Sequence, residues 1–125
     1  MILQIIRRTI QPGMIVLEIK GSLHSGPECA KLGQEVDKLI EERQTRVIFD
    51  MSGVTHADSA AIGAIVKCFS KLKSVNGALR IASVQPMVDY SLKLTKVDRV
   101  IDIFPSVEQA AKGFSVPDAN TRPRA

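Results

Sequence analysis

Residues 46–77 change their hydrophobic period part-way along, and this change constrains the fold more than any other feature of the chain. Val47, Ile48 and Phe49 form a β-branched and aromatic run closed by turn-forming residues, which predicts a short buried strand. After a loop of about eight residues, apolar side chains recur at steps of three and four, which predicts a helix over residues 60–75. The predicted buried face of this helix comprises Ile62, Ile65, Val66, Phe69 and Leu72.

The same alternation extends along the rest of the chain. Residues 1–9 and 14–19 resemble two strands joined by a tight turn, which predicts an N-terminal hairpin. The other predicted elements are a helix over 27–43, a strand over 78–84, a short helix over 85–94, a strand over 100–104 and a helix from 105. These elements predict a single α/β domain over residues 1–114, with a mixed, mostly parallel sheet of about five strands and about four helices. Residues 115–125 are polar and aperiodic, so we expect a disordered tail.

Composition excludes several classes of protein. No apolar run approaches the roughly 20 residues that span a bilayer, and the N-terminus lacks the features of a signal peptide, so we expect a cytoplasmic protein without membrane insertion. The net charge of +4 is scattered without aromatic interleaving, which does not favour nucleic-acid binding. Cys29 and Cys68 are far apart in sequence, with no CxxC spacing, which predicts two buried reduced thiols and no metal or cofactor site.

Three loops are expected to meet at one edge of the sheet, because the carboxyl ends of parallel strands lie together. These loops follow the strands that end near Ile19, Phe49 and Ala82. They carry Leu23, His24 and Ser25, then residues 56–59, then Gln85.

Ser59 is predicted to lie at or beside the N-terminus of the central helix. Unpaired backbone N–H groups and the positive end of the helix dipole suit a hydroxyl cap there, and they equally suit a phosphate attached to the serine. Position alone therefore leaves two interpretations open, an N-cap and a modification site.

The motif around Ser59 resembles that of the STAS family, which includes bacterial anti-sigma factor antagonists. The resemblance rests on Asp58-Ser59-Ala60-Ala61-Ile62-Gly63, on Gly21-Ser22-Leu23 and on the strand exit Val47-Ile48-Phe49-Asp50-Met51-Ser52-Gly53-Val54, and it covers residues 1–113. It implies that Ser59 accepts phosphate from a partner that is both a serine kinase and an anti-sigma factor. A phosphatase is a further partner that it implies. The contact surface expected from the loops and from this motif comprises Leu23, His24, Ser25, His56, Asp58, Ser59, Ala60, Ile62, Gly63 and Gln85.

Two positions depart from the family pattern. His24 replaces an acidic residue and is either a ligand for phosphate or a solvated loop histidine. Ala61 replaces a glycine and either raises helix propensity or narrows the approach of a partner.

Three functions remain on the sequence alone. The first is a phosphorylatable switch that acts on an anti-sigma kinase, and the second is a constitutive STAS interaction module in a lipid-transport or stress-signalling complex. The third, an enzyme or a nucleotide-binding domain, is disfavoured, because no phosphate-binding glycine motif follows a strand. In addition, His56, Asp58 and Ser59 lie too close in sequence to form a catalytic triad. The oligomeric state is left open.

Overall fold

A computed structural model describes residues 3–24 and 26–114 of the 125-residue chain. The sequence prediction of alternating strands and helices is confirmed. The elements are β1 (Gln4–Gln11), β2 (Met14–Leu23), α1 (Pro27–Glu41), β3 (Arg46–Ala57), α2 (Ser59–Ser74), β4 (Ala78–Ala82), α3 (Pro86–Leu94), a 3₁₀ turn (Val97–Arg99), β5 (Ile103–Phe104) and α4 (Val107–Ala111).

The five strands form one mixed sheet in the order β1-β2-β3-β4-β5. Strand β1 pairs antiparallel with β2 as the predicted hairpin, and the other three pairings are parallel. Each parallel crossover steps in the same direction across the sheet, so right-handed connections place α1, α2 and α3 on one face. Helix α4 follows β5 and packs on the opposite face.

Alternate residues of each central strand supply the two cores. Leu17, Phe49 and Ile81 point toward α1, α2 and α3, whereas Val16 and Ile48 point toward α4. In α2, Ile62, Ile65 and Leu72 are buried as predicted, and Val66 and Phe69 are partly buried against the same core. Cys68 is also buried on this helix, as predicted for its thiol, and so is Ala61, which the hydrophobic pattern did not select.

The prediction of loops directly after Ile19 and Phe49 is wrong, because both strands continue beyond these residues. Strand β2 reaches Leu23 and β3 reaches Ala57, and these extensions pair with each other after a register shift between Glu18 and Lys20. At Gly53, an added Cβ would lie 2.8 Å from Lys20 Cγ, so the strands approach closely only because this residue is glycine. The glycines and serines that suggested turns are therefore part of an irregular strand pair.

The C-terminal third also differs from its prediction. The expected strand over 100–104 shrinks to Ile103–Phe104, because β5 pairs only with Ile81 and Ala82. The last described residue, Phe114, is buried on the sheet face that α4 covers. Arg46 Nη1 donates a hydrogen bond to the Phe114 carbonyl at 3.0 Å. The tail predicted over residues 115–125 lies outside the described residues.

Candidate functional site

The site is built where β2 and β3 end and α2 begins. The Asp58 N–H donates to the Leu23 carbonyl at 3.2 Å, which ties the start of α2 to the end of β2. The Asp58 side chain then accepts a hydrogen bond from the Ala61 N–H at 2.8 Å, so Asp58 is the N-cap of α2. These two bonds fix the conformation of the backbone on both sides of Ser59.

Ser59 is the first residue of α2, and it is exposed. Within the described part of the chain its hydroxyl makes no hydrogen bond, and the capping role belongs to its neighbour Asp58. The interpretation of Ser59 as the N-cap is therefore wrong. Its position still places it beside the unpaired N–H groups of the first helical turn.

Ala61, which stands where the family pattern has glycine, lies inside the protein. The Ala61 side chain is completely buried in the core under α2, while its N–H serves the cap. A buried methyl group cannot narrow the approach of another protein, so this alternative is excluded.

His24 contacts the same cap. Its Nδ1 lies 3.7 Å from Asp58 Oδ2, and both side chains are partly exposed. The Cys29 thiol donates to the His24 carbonyl at 2.9 Å, which connects this residue to the first turn of α1. His24 is thus positioned beside a carboxylate. The predicted contact residue Ser25, which follows it, lies outside the described residues.

A cavity of about 250 Å³ opens between the end of β3 and α3. His24, His56 and Asp58 line one side, as the loop argument predicted, and α3 supplies the other side. The residues from α3 are Met87, Val88 and Ser91, which the sequence did not select. A sign of their role was available, since they follow Gln85 at the start of the helix that leaves the same sheet edge.

Other predicted contact residues occupy different positions. Gln85 Nε2 donates to the Ser52 carbonyl at 2.7 Å, so it joins α3 to the middle of β3 and does not line the cavity. Leu23 and Ile62 are buried, so the expectation that their side chains form part of a contact surface is corrected: they pack in the core.

Ala60 and Gly63 lie on a second concave surface, a groove of about 640 Å³ between α1 and α2. A Cβ added at Gly63 would meet no atom within 4 Å, so this part of the groove is open. Cys29 and Cys68 both line it. Only Cys68 is buried, so the prediction of two buried thiols is wrong for Cys29.

The two thiols differ in environment as well. Burial raises the pKa of Cys68 to about 11. Burial, and then the carboxylates of Asp58 and Glu28, raise the pKa of the Cys29 thiol. Both groups therefore stay protonated near neutral pH, and neither is activated as a nucleophile.

Residues 3–24 and 26–114 contain no group of three or more His, Cys, Asp or Glu side chains arranged to hold a metal ion. No helix in these ranges is both long and apolar enough to cross a bilayer.

Comparison with known proteins identifies the family. A family model described as the STAS domain matches residues 6–110. A Thermotoga neapolitana homologue of TM1081, named as a candidate anti-sigma factor antagonist, is 26% identical over 74 residues, which is 59% of this chain. The match spans 66% of that relative, slightly less than two thirds of its length.

Solved structures share the fold. The crystal structure of TM1081 from Thermotoga maritima, also named as a candidate anti-sigma factor antagonist, has a TM-score of 0.80 at 21% identity, covering 88% of this chain and 93% of that one. The anti-sigma factor antagonist SpoIIAA in its unphosphorylated form has a TM-score of 0.67 at 15% identity, covering 86% and 94%. Its phosphorylated form, from Bacillus, has a TM-score of 0.68 at 14% identity, covering 86% and 96%.

Proposed function

Because this chain belongs to the STAS domain family, we propose that it is an anti-sigma factor antagonist. In this proposal, unmodified Ser59 lies within the surface that binds an anti-sigma factor of the serine-kinase type. Phosphorylation of Ser59 by that partner weakens the complex and releases the antagonist. The chain itself performs no catalysis in this cycle.

The observation that carries the proposal is the division of labour between Asp58 and Ser59. Asp58 caps α2 through the Ala61 N–H, so the fold does not require the Ser59 hydroxyl. Ser59 is exposed on the first turn of a 16-residue helix, and the next residue, Ala60, lines the groove between α1 and α2. A kinase can thus modify Ser59 without unfolding the start of α2.

A phosphate at Ser59 would change the surface strongly. It adds a charge of about −1.5 to −2 and three acceptor oxygens next to the Asp58 carboxylate. The N-terminus of α2 stabilises this charge within the antagonist, while a partner surface that fits a neutral hydroxyl meets both steric and electrostatic repulsion. The modified domain stays folded and loses its partner.

The relatives support the same reading. The Thermotoga proteins are named as candidate anti-sigma factor antagonists, and SpoIIAA has been solved both without and with phosphate. Two states of one domain are what a phosphorylation switch requires.

The test uses purified serine-kinase anti-sigma factors encoded in the same genome as this chain. Each is incubated with the full chain and ATP, and the intact mass is measured. We expect one of them to add a single phosphate, to leave Ser59→Ala unmodified and to modify Ser70→Ala normally, since Ser70 is an exposed serine farther along α2. Stable binding without any phosphate transfer would instead favour the constitutive interaction module, and phosphate on another residue would contradict the switch.

A further inference from the structure

Helix α3 carries an exposed apolar stripe formed by Met87, Tyr90 and Leu94. These side chains are 69%, 65% and 68% exposed, and their spacing of three and four residues places them on one face. Single exposed apolar residues are common on proteins, but three contiguous large ones mark an interaction surface.

The fold does not explain the stripe. Helix α3 packs on the core through Val88 and Leu92, which are buried on its other face. Met87, Tyr90 and Leu94 do not belong to this packing face, so their side chains are not needed to stabilise the domain.

The stripe begins at the candidate site. Met87 lines the same cavity as His24, His56 and Asp58. One end of the stripe therefore lies at the cavity that Asp58, the residue before Ser59, also lines. From Met87 to Leu94 the helix advances about 10 Å at 1.5 Å per residue. A protein that covers the start of α2 and this cavity is therefore in reach of the whole stripe.

Size and composition decide the occupant. The three side chains expose about 400 Å², whereas a stable complex buries about 800 Å² per partner. The stripe alone is thus too small to hold a second copy of this chain face to face. Tyr and Met are enriched at interface centres, and here the polar pair Lys93–Asp89 and Ser91 border them, as in a polar rim.

We propose that the Met87, Tyr90 and Leu94 stripe is a second part of the surface that binds the anti-sigma factor, joined through the cavity to the part around Ser59. This inference rests on the proposed function. It assigns the stripe to affinity and Ser59 to switching, because the stripe contributes apolar contacts, whereas Ser59 is the proposed phosphoacceptor.

The test measures the affinity of the same panel of purified anti-sigma factors, without ATP, for the wild-type chain, the double variant Tyr90→Gln/Leu94→Gln, and the control Val75→Gln. Val75 is an exposed apolar residue at the C-terminal end of α2, outside the stripe. Circular dichroism verifies that all three chains are folded. We expect the double variant to bind at least about tenfold more weakly and the control to bind within about twofold of wild type.

The outcomes separate the two proposals. If a panel member binds wild type and the double variant equally well, the stripe is not part of the interface, while the anti-sigma antagonist function stands. If no member binds wild type, the proposed function fails and this inference fails with it. If sedimentation showed that the wild-type chain is a dimer and the double variant a monomer, the stripe would be assigned to a second copy of the chain and the inference would be overturned.

Discussion

Asp58 accepts a hydrogen bond from the Ala61 N–H at 2.8 Å, and this bond assigns the capping role at α2 to the residue before Ser59. Adjacent residues at a helix start thus carry different roles, one structural and one available for regulation. The pairing of Asp58 with the helix also places a fixed negative charge next to the proposed phosphoacceptor.

The cap predicts unequal stability effects at the two positions. Asp58→Ala should lower the free energy of unfolding by about 1 kcal/mol, because the Ala61 N–H loses its partner. Ser59→Ala should change it by less than about 0.5 kcal/mol, since the site is exposed. Urea denaturation measures both, with Asp58→Asn as a control that retains an acceptor. Equal losses at Asp58 and Ser59 would contradict the assignment of the cap.

Charge at Ser59 should control binding. Ser59→Asp is expected to weaken the complex with the anti-sigma factor at least about tenfold, because it adds a carboxylate next to Asp58 on the contact surface. Ser59→Ala should bind about as well as wild type and should lose only the response to ATP. Isothermal titration compares the three chains, and identical affinities for the Asp and Ala variants would exclude a charge-based switch.

The core under α2 predicts a severe effect of charge at Ile65. Its side chain is fully buried against the sheet, so Ile65→Asp places an unpaired carboxylate in the core and costs several kcal/mol of a total stability of about 5 to 15 kcal/mol. We expect the variant to be unfolded or molten by circular dichroism. Ser70→Asp on the exposed side of the same helix is the matched control, and an unchanged melting temperature for Ile65→Asp would show that the packing face is misassigned.

The C-terminal boundary can be tested by comparing two changes. Phe114 lies 4.3 Å from the Arg80 guanidinium, measured to the ring centroid, and it is buried on the α4 face. Phe114→Ala should therefore cost about 3 to 5 kcal/mol. Removal of residues 115–125 should leave stability and partner binding unchanged, as their composition offers little apolar surface. A large loss after this truncation would show that the segment belongs to the domain or to the interface.

Cys68 predicts a stability change at alkaline pH. Burial raises its pKa from 9.0 to about 11, so the unfolded chain releases this proton at lower pH than the folded chain. Stability is therefore complete below pH 9 and falls by about 2 kcal/mol as pH rises toward 11. Urea denaturation at several pH values should show a steeper decline for wild type than for Cys68→Ala. Parallel curves would mean that the thiol is not protected by burial.

Part of the candidate site could be predicted from the sequence. His24, His56 and Asp58 meet because they end two neighbouring strands, which topology alone predicts. Leu23 and Ile62 were assigned to the surface, and their burial required knowledge of which side of each strand and helix faces the core. Met87 and Ser91 were not selected, because the position of Gln85 indicates only that α3 leaves the same sheet edge, and not which of its side chains border the end of β3.

The sequence by itself determined the order of the elements, the N-terminal hairpin and the core face of α2, because these depend on local hydrophobic period and turn chemistry. Tertiary structure alone decided where the strands end. The segments after Ile19 and Phe49 contain glycine and serine and resemble loops, yet each becomes a strand because the other lies beside it. Tertiary structure also decided which of the adjacent residues Asp58 and Ser59 caps α2, because the bond from the Asp58 N–H to the Leu23 carbonyl holds the chain where the helix starts. It decided as well which apolar residues of α3 stay exposed, since that depends on which face of the helix packs on the core.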